Sequence, residues 1–570
     1  MKGTLITLML LLSVGVHAQT DASDFDSEKA EAVLADVMRQ DIRDEEALAQ
    51  SGVIASMVGV KQFIEGRYDD AIRSLDFAIQ HPQLSNSTVQ VMNHVFLVHA
   101  LCISGNRRAL SVLGDVVPLL QDLQENTLRG DFPVEYADGV RNVMTNLLLP
   151  LTSFVSKTFT DQEALSQCFN LMLFLKQFAF YQLANRGEAD FRHTLNVDYR
   201  ALIARRLGRD EVAVEMVPCM DIDRRKVRGT RFVAYIINSS GRLTFVDLCG
   251  KAEVEALYAD NNSPWMLYAS GERRLSSLAW QRLAPYVRAS RKIYLAPCGI
   301  LNRVNYVLFD SRVRELTSLS ELNKRYPVCT ASAKALLIGD VDYDEAQTSN
   351  SRGDRDWGRL RATKKEIESA ARSLSTSFKV TRLTGSVVTE EAVRKGCAAS
   401  PAILHFATHA ICYTDSAARS QYDFFQFPRT FLPLKPELTY TGLVLSGGNK
   451  GFRRQGNLTM DNDGILLSEE IARLRLDGTS LVVLSACDSG NGIFDDIEGT
   501  LGLVKAFKQA GVKAVVASLS KVDDDAAGEF MAVFYERMGS ASNLHEAFVQ
   551  AQQYMQSRYP KQPKSWAAFK

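Results

Sequence analysis

Two side chains that could cooperate in acyl transfer stand at the ends of apolar, strand-like segments. His409 closes the segment AILHFATH (402–409), and Cys487 closes LVVLSAC (481–487). A thiolate can attack a carbonyl carbon, while an imidazolium protonates the leaving amine and the neutral ring then activates water. These residue types predict a cysteine-dependent hydrolase if the fold brings both side chains into one cleft.

The neighbouring residues could complete such a site. Ala410 follows His409, and the backbone N–H groups of Ala410 and Cys487 are candidate donors to a developing oxyanion. The alternative is that each residue is structural, because a cysteine in an apolar strand is usually inert core. A histidine in the middle of a strand is also usually structural, as we expect of His405. For the pair His409 and Cys487 to be purely structural, each residue would have to be structural for its own separate reason.

The elements around these residues predict a mostly parallel sheet with helices on both faces. From residue 334 onward, short apolar strands alternate with amphipathic helices. The predicted strands cover 334–340, 379–385, 402–409, 481–487 and 514–520, and the predicted helices cover 364–374, 389–397, 498–510, 525–538 and 543–558. Adjacent parallel strands lie ~4.8 Å apart, and ligands bind beyond their carboxyl ends. His409 and Cys487 are therefore expected to share that edge.

This region resembles a known family. The segments ILHFATHA (403–410) and LVVLSACDSGNG (481–492) resemble the His and Cys blocks of the CHAT domain, a family of caspase-like cysteine peptidases often fused to tetratricopeptide repeats. Family-like segments run in order through residues 228–570. The resemblance implies a Cys487–His409 catalytic dyad in a caspase-like α/β sandwich. It also implies a degenerate first half at 228–333, packed on a catalytic half at 334–570.

The same resemblance implies a substrate pocket in the segment 518–524. Its candidate lining residues are Ser518, Ser520, Lys521, Asp523 and Asp524. The aspartates would favour a basic side chain before the cleaved bond. Alternatively, they charge the N-terminus of the predicted helix 525–538, where the helix dipole favours anions, and Lys521 favours an acidic or uncharged side chain.

Residues 23–215 have the pattern of helices joined by short polar turns. The segment GVKQFIEGRYDDAIRSLDFAIQHP (59–82) is close to a tetratricopeptide unit, and 97–113 and 199–214 are weaker echoes. A plain helical bundle needs similar small-residue spacing, so that alternative stays open. Either arrangement predicts an arm that binds a substrate or a regulatory protein. Past it, two β-rich runs in 231–249 predict a hairpin.

Residues 1–18 have the pattern of a secretory signal peptide. Lys2 precedes the apolar stretch 5–16, and small residues flank the expected cut after Ala18. That stretch is too short to cross a bilayer, and no later stretch approaches ~18 consecutive apolar residues. We expect an exported protein, periplasmic or secreted, with no membrane span. Nine cysteines without paired spacing leave at least one thiol free or intermolecular.

Charge and motif content exclude several other functions. The 570-residue chain holds 66 Lys and Arg and 66 Asp and Glu residues, whereas a non-specific nucleic-acid binder usually has a basic surplus. The sequence has no GxSxG elbow, no phosphate-binding GxxxxGK[ST] loop and no zinc-like Cys/His cluster. We expect no cofactor, no metal and no nucleic-acid partner. The sequence predicts an exported caspase-like cysteine endopeptidase; the alternative is a silent protein-binding scaffold.

Overall fold

The computed structural model describes most of the chain as two compact units. The described residues are 27–39, 45–81, 87–128, 148–184, 197–223, 226–259, 264–268, 273–323, 333–344, 357–412, 441–449, 462–486, 493–495, 499–519 and 524–570. The first unit comprises the described residues within 1–207 and 216–250, and the second those within 208–215 and 251–570.

The first unit begins with eight described helices. They are α1 (Ser27–Val37), α2 (Glu45–Ile64), α3 (Tyr68–Gln80), α4 (Ser87–Ile103), α5 (Arg108–Leu128), α6 (Leu149–Thr158), α7 (Gln162–Ala184) and α8 (Tyr199–Arg206). The predicted helical region thus ends earlier than residue 215 in this structure, because a strand starts at Glu211.

Helices α2 and α3 form the hairpin expected at 59–82. A Cβ added to Gly59 would lie 2.7 Å from Leu75 Cγ, so only glycine permits this close approach. Tyr68 and Leu75 are buried at the seam, as their spacing predicts. The turn between the helices contains Gly66, whose φ of 80° suits glycine. The hairpin geometry fits either a tetratricopeptide unit or a bundle, so the repeat assignment stays a prediction.

A long antiparallel hairpin completes the first unit. Strands β2 (Lys226–Asn238) and β3 (Leu243–Gly250) pair from Arg231↔Gly250 to Ile237↔Leu243, which confirms the hairpin predicted at 231–249. The Tyr235 hydroxyl, fully buried, donates to the Thr152 carbonyl of α6 at 3.2 Å. The hairpin therefore belongs with the helices of the first unit, although the sequence groups it with the segment 228–333.

The second unit starts with a small peripheral sheet and short helices. Strand β1 (Glu211–Asp223) pairs through Glu211–Glu215 with β4 (Lys292–Ala296), and β4 pairs with β5 (Val313–Glu315), both in parallel. The helices here are α9 (Lys251–Ala259), α10 (Arg274–Ala279) and α11 (Ala284–Val287), with 3-10 turns at Pro264–Tyr268, Gly299–Arg303, Tyr306–Leu308 and Leu319–Asn323.

A five-stranded, wholly parallel sheet forms the centre of the second unit. In chain order its strands are β6 (Lys334–Val341), β7 (Lys379–Gly385), β8 (Ile403–Ala407), β12 (Leu481–Ser485) and β15 (Ala514–Ala517). In space the order is β7-β6-β8-β12-β15. This order reverses direction between β6 and β8, and the carboxyl edge at such a switch point is where ligands bind in doubly wound sheets.

Helices cover both faces of this sheet, as the near-continuous apolar strands predict. One face carries α12 (Arg361–Leu374), α16 (Asp524–Met538), α17 (Leu544–Arg558) and α18 (Lys564–Ala567); the other carries α13 (Glu390–Ala398), α14 (Ser468–Ala472) and α15 (Leu503–Gln509). Alternate residues of each strand serve the two cores. In β6, for example, Leu337 packs on the first face and Leu336 on the second. The predicted helical region followed by an α/β sandwich is confirmed.

Short strands extend the carboxyl edge. Strands β9 (Ala410–Cys412), β10 (Thr441–Val444) and β11 (Ile465–Leu467) form an antiparallel sheet in the order β11-β10-β9. A separate antiparallel pair joins β13 (Ile493–Asp495) and β14 (Gly499–Leu501). The predicted strand 402–409 ends at Ala407, because Thr408 and His409 leave the parallel ladder and lead into β9. Among the described helices, none is long and apolar enough to span a membrane.

Candidate active site

His409 stands between β8 and β9, at the carboxyl edge of the central sheet. Its ring Nε2 lies 2.8 Å from the carbonyl oxygen of Gly358, which belongs to the connection before α12. The ring centroid is 5.0 Å from that of Tyr343, the second residue after β6. The His409 carbonyl accepts the Val444 N–H at 2.9 Å. Contacts from the connection between β6 and α12 and from strand β10 thus hold this residue, whose side chain is only partly buried.

The contact with Gly358 determines the tautomer of His409. A carbonyl oxygen only accepts hydrogen bonds, so Nε2 must carry the proton that bridges the 2.8 Å distance. In the neutral ring, Nδ1 is then the nitrogen that carries a lone pair in place of a proton. His409 is consequently arranged to take up a proton at Nδ1 and to remain anchored through Nε2–H in both charge states.

Thr408 fixes the backbone immediately before His409. Its hydroxyl donates to the Val444 carbonyl at 2.6 Å, and the Tyr343 hydroxyl lies 3.0 Å from the same Thr408 oxygen. Because the Thr408 proton is directed to Val444, Tyr343 is the donor in the second bond. Thr408 and Tyr343 are both buried. These two hydrogen bonds therefore fix the backbone conformation between the end of β8 and His409.

Cys487 lies outside the described residues. Its two predicted roles, as the nucleophile and as a backbone N–H donor to the oxyanion, therefore stay predictions. The structure does describe the strand before it. Strands β8 and β12 are adjacent and parallel, and their last pair is Ala407↔Ser485. In the sequence, His409 and Cys487 each follow these paired residues by two positions. The carbonyl of Ala486 accepts the Ser518 hydroxyl at 2.6 Å, which anchors the backbone where the description ends.

Ala410, the other predicted oxyanion donor, lies at the start of β9. It faces Leu443 in the antiparallel register, and the bond from Val444 N–H to the His409 carbonyl flanks this pair. Ala410 and Leu443 are therefore a non-hydrogen-bonded pair, so the Ala410 N–H points away from β10. Among the described non-glycine residues, positive φ occurs only at Asp340, Ser400 and Asn462. Alanine at 410 thus adopts its conformation without backbone strain.

A small cavity with both apolar and polar lining residues lies between the ends of β8, β12 and β15. Its volume of about 20 Å³ suits a water molecule. It is lined by Leu360, Ala362, Thr363, Glu366, Thr408, Ser485, Ala486, Ser518, Ala527 and Phe569. Of the predicted substrate-pocket residues, Ser518 lies here, fully buried. Its hydroxyl is engaged with Ala486, so it positions backbone at this edge.

The remaining predicted pocket residues give less structural information. Ser520, Lys521 and Asp523 lie outside the described residues, so their roles stay predictions. Asp524 is the first residue of α16, a position at which the helix dipole favours an acidic residue.

His405 forms a buried polar cluster under the same strand end. Its Nδ1 lies 2.8 Å from the Tyr535 hydroxyl, and its Nε2 lies 3.1 Å from Glu366 Oε1. All three side chains are buried, and desolvation raises the pKa of Tyr535 well above its ordinary value. The structural role expected for His405 is confirmed.

The described cysteines are unreactive by environment. Six of them are buried: Cys102, Cys168, Cys219, Cys249, Cys298 and Cys397. Burial raises the pKa of the Cys168, Cys219 and Cys397 thiols to about 12. Since the thiolate is the nucleophilic form of cysteine, these three thiols cannot act as nucleophiles at neutral pH. The described residues also contain no His, Cys, Asp and Glu grouping that could hold a metal ion.

Comparison with protein families decides the relationship. The family model described as the CHAT domain matches residues 273–570, more than half of the chain. The chain belongs to the CHAT domain family. The CHAT domain is a caspase-like peptidase fold, in agreement with the resemblance seen in the sequence, although the match begins after residue 228. No curated protein sequence matches the chain.

Solved structures give more distant matches. Two crystal structures of the Saccharomyces cerevisiae separase–securin complex, at 3.0 and 2.6 Å resolution, match with TM-scores of 0.44 and 0.42, both at 9% identity. They cover 96% and 97% of this chain, and 48% of the separase-complex chain in each case. The chain therefore spans about half the length of the chains it matches.

Sequence reasoning missed several residues that position the CHAT domain histidine. Gly358 precedes His409 by 51 residues and carries no side chain, so no pattern indicates its carbonyl contact. Tyr343 and Thr408 belong to strand ends whose apolar character dominates the pattern. Thr408, adjacent to His409, was the one residue whose position could have indicated its role.

Proposed function

We propose that this CHAT domain is a cysteine endopeptidase in which Cys487 is the nucleophile and His409 the general acid–base residue. The observation that carries the proposal is the 2.8 Å contact between His409 Nε2 and the Gly358 carbonyl. It supports the proposal because it commits Nε2 to the Gly358 carbonyl, so that Nδ1 is the ring nitrogen that would exchange a proton with a thiol at the carboxyl edge of the sheet, where α/β proteins bind ligands.

The strand register gives independent support. His409 and Cys487 both follow the Ala407↔Ser485 pair by two positions, on adjacent parallel strands. Neighbouring strands lie ~4.8 Å apart, a separation that side chains of this size can bridge. The family match at 273–570 contains both residues, and in the sequence they fall within the segments that resemble the family's His and Cys blocks.

The chemistry follows from these groups. The Cys487 thiol transfers its proton to Nδ1 of His409, and the thiolate attacks the substrate carbonyl carbon. The oxyanion that forms accepts hydrogen bonds from the N–H groups of Ala410 and Cys487. The imidazolium then protonates the departing amine, and an acyl-enzyme remains on sulfur. His409 removes a proton from water, which hydrolyses the thioester and regenerates the thiol.

Labelling with a peptide carrying an electrophilic warhead tests the nucleophile. We expect modification of Cys487 at neutral pH and none at the six buried cysteines, because burial shields their thiols from the probe and raises the pKa of the Cys168, Cys219 and Cys397 thiols. Cys487→Ala should abolish both labelling and cleavage of a peptide library. His409→Gln should reduce both strongly, whereas the control His81→Gln, in the first unit, should leave both unchanged.

Each outcome separates the two functional classes. A native protein whose Cys487 resists the probe, and which cleaves no peptide of a diverse library, would be the non-catalytic scaffold. Cleavage that persists in Cys487→Ala would reject the assignment of the nucleophile. The new termini in the library also report specificity, for which we propose a basic side chain before the cleaved bond, favoured by Asp523 and Asp524.

For the helices of the first unit, we propose binding of a protein substrate or a regulatory protein. Met57 and Ile64 of α2 support this role, because they are apolar yet 40% and 39% exposed. The variant Met57→Glu/Ile64→Glu should lower kcat/KM for a folded protein substrate and leave that for a short peptide unchanged. Equal effects on both substrates would argue against a binding arm.

Export to the periplasm or the medium is also part of the proposal. Its support is the signal-peptide pattern of residues 1–18. N-terminal sequencing of protein made in its host should begin at Gln19. A mature protein that retains residues 1–18 would reject export by this route.

A further inference from the structure

Asn449 makes an unusually complete set of hydrogen bonds beside the proposed active site. It is 2% exposed and follows the turn after β10. Its side-chain oxygen accepts the Trp357 N–H at 2.8 Å, and its amide donates to the Trp357 carbonyl at 3.1 Å and to Asp344 Oδ1 at 2.8 Å. Its backbone N–H donates to the Tyr343 carbonyl at 3.1 Å.

These bonds hold the chain directly next to Gly358. Trp357 precedes Gly358, and both of its backbone polar groups are bonded to Asn449. On the other side, the Arg359 guanidinium donates to Asp340 Oδ1 at 2.6 and 2.9 Å. Both neighbours of Gly358 are thus anchored, whereas a Cβ on Gly358 would meet nothing within 4 Å. Gly358 has no side chain that packing could hold, so the direction of its carbonyl depends on the anchored backbone on either side.

We propose that Asn449 is a positioning residue for His409. By holding Trp357, it directs the Gly358 carbonyl at His409 Nε2 and so maintains the ring orientation and the tautomer in which Nδ1 accepts a proton. This inference rests on the proposed peptidase function. It extends the site to a residue 40 positions beyond His409 in the sequence, one that contacts neither the ring nor the substrate-bearing edge.

The expected effect of losing Asn449 follows from the charge of the imidazolium. A hydrogen bond from Nε2–H to a carbonyl is stronger when the ring is charged, so it stabilises the thiolate–imidazolium pair. In Asn449→Ala, we expect kcat to fall by about 10- to 100-fold while KM stays within about twofold. The alkaline limb of the kcat/KM profile should move down by about one pH unit.

A matched variant separates positioning from stability. Asn543 caps α17 by accepting the Glu546 N–H at 3.1 Å, remote from His409 in the fold. Asn543→Ala should cost about 1 kcal/mol of stability, as lost caps do, without moving the pH profile. If Asn449→Ala does not fold, the isosteric double variant Asp344→Asn/Asn449→Asp serves instead. It keeps an amide–carboxylate pair and the acceptor for Trp357 N–H, but removes the donor to the Trp357 carbonyl. We expect an alkaline limb between those of the wild type and of a fully released site.

The pH dependence of Cys487 alkylation by iodoacetamide is the second readout. Compared with the wild type, His409→Gln should abolish the alkylation of Cys487 near neutral pH, and Asn449→Ala should slow it by about tenfold. If His409→Gln has no effect, the dyad itself is wrong. If His409→Gln acts but Asn449→Ala and the double variant match the wild type in alkylation and pH profile, only the positioning role of Asn449 is overturned.

Discussion

Tyr535→Phe removes a single oxygen from the interior of the second unit. That oxygen lies 2.8 Å from His405 Nδ1, and both side chains are at most 2% exposed. No water can replace the lost partner without opening the core, so His405 Nδ1 is left unpaired. An unsatisfied buried group costs about 1–3 kcal/mol, so we expect the free energy of unfolding to fall by that amount. For a domain of this size, each kcal/mol lowers the melting temperature by about 2–4 °C.

Tryptophan fluorescence can follow this change in the full chain. All four tryptophans, Trp265, Trp280, Trp357 and Trp566, fall in the second unit, so their emission during urea unfolding reports on that unit. Tyr554→Phe is the matched control, because Tyr554 is 37% exposed and its change should stay within about 0.5 kcal/mol. Equal urea midpoints for Tyr535→Phe and the wild type, at equal slope, would refute the cluster's contribution to stability.

Two further predictions concern packing and pH. Gly59→Ala should destabilise the first unit by about 1–3 kcal/mol, because its Cβ would lie 2.7 Å from Leu75 Cγ. Gly528→Ala, inside α16 with nothing within 4 Å of the added Cβ, should instead stabilise the second unit by about 0.5–1 kcal/mol in circular-dichroism melts, and a gain for both variants would contradict the packing argument. Burial, and after it the charge of Glu390, raises the pKa of Asp463 to about 7. The folded state therefore keeps a proton that the unfolded state loses near pH 4. As a result, the free energy of unfolding falls as the pH rises towards 7. Asp463→Asn removes this titration, so its melting temperature relative to the wild type should rise between pH 5 and pH 8.5; a constant difference would refute the assignment.

The sequence predicted most of the second unit because its signals are local. The three inner strands of the central sheet, β6, β8 and β12, are buried on both faces, which requires an unbroken apolar run, and each helix needs its own amphipathic repeat. The predicted helix 543–558 is α17 (Leu544–Arg558) within one residue. Strand ends were less predictable. The segment 402–409 was predicted as one strand, but the parallel ladder stops at Ala407 because Thr408 turns to bond with Val444.

The predicted dyad was also a local inference, since residue type and position at a strand end suffice to nominate His409. Its tautomer was not. The Gly358 carbonyl reaches the ring from 51 residues away, and the position of Gly358 depends in turn on Asn449, from a third segment of the chain. Backbone carbonyls are present at every residue, so a sequence cannot indicate which of them will receive a proton donor.

The amino-acid sequence by itself determined the order of elements, the burial of the strands and the chemical identity of the residues at their ends, because these depend on periodicity and composition over a few residues. Only the tertiary structure decided which segments meet at the carboxyl edge, which ring nitrogen of His409 is committed to an anchor, and that His405 is enclosed by Glu366 and Tyr535. These contacts join residues 39 to 130 positions apart in the sequence, and such residues are brought together only by packing of the whole unit.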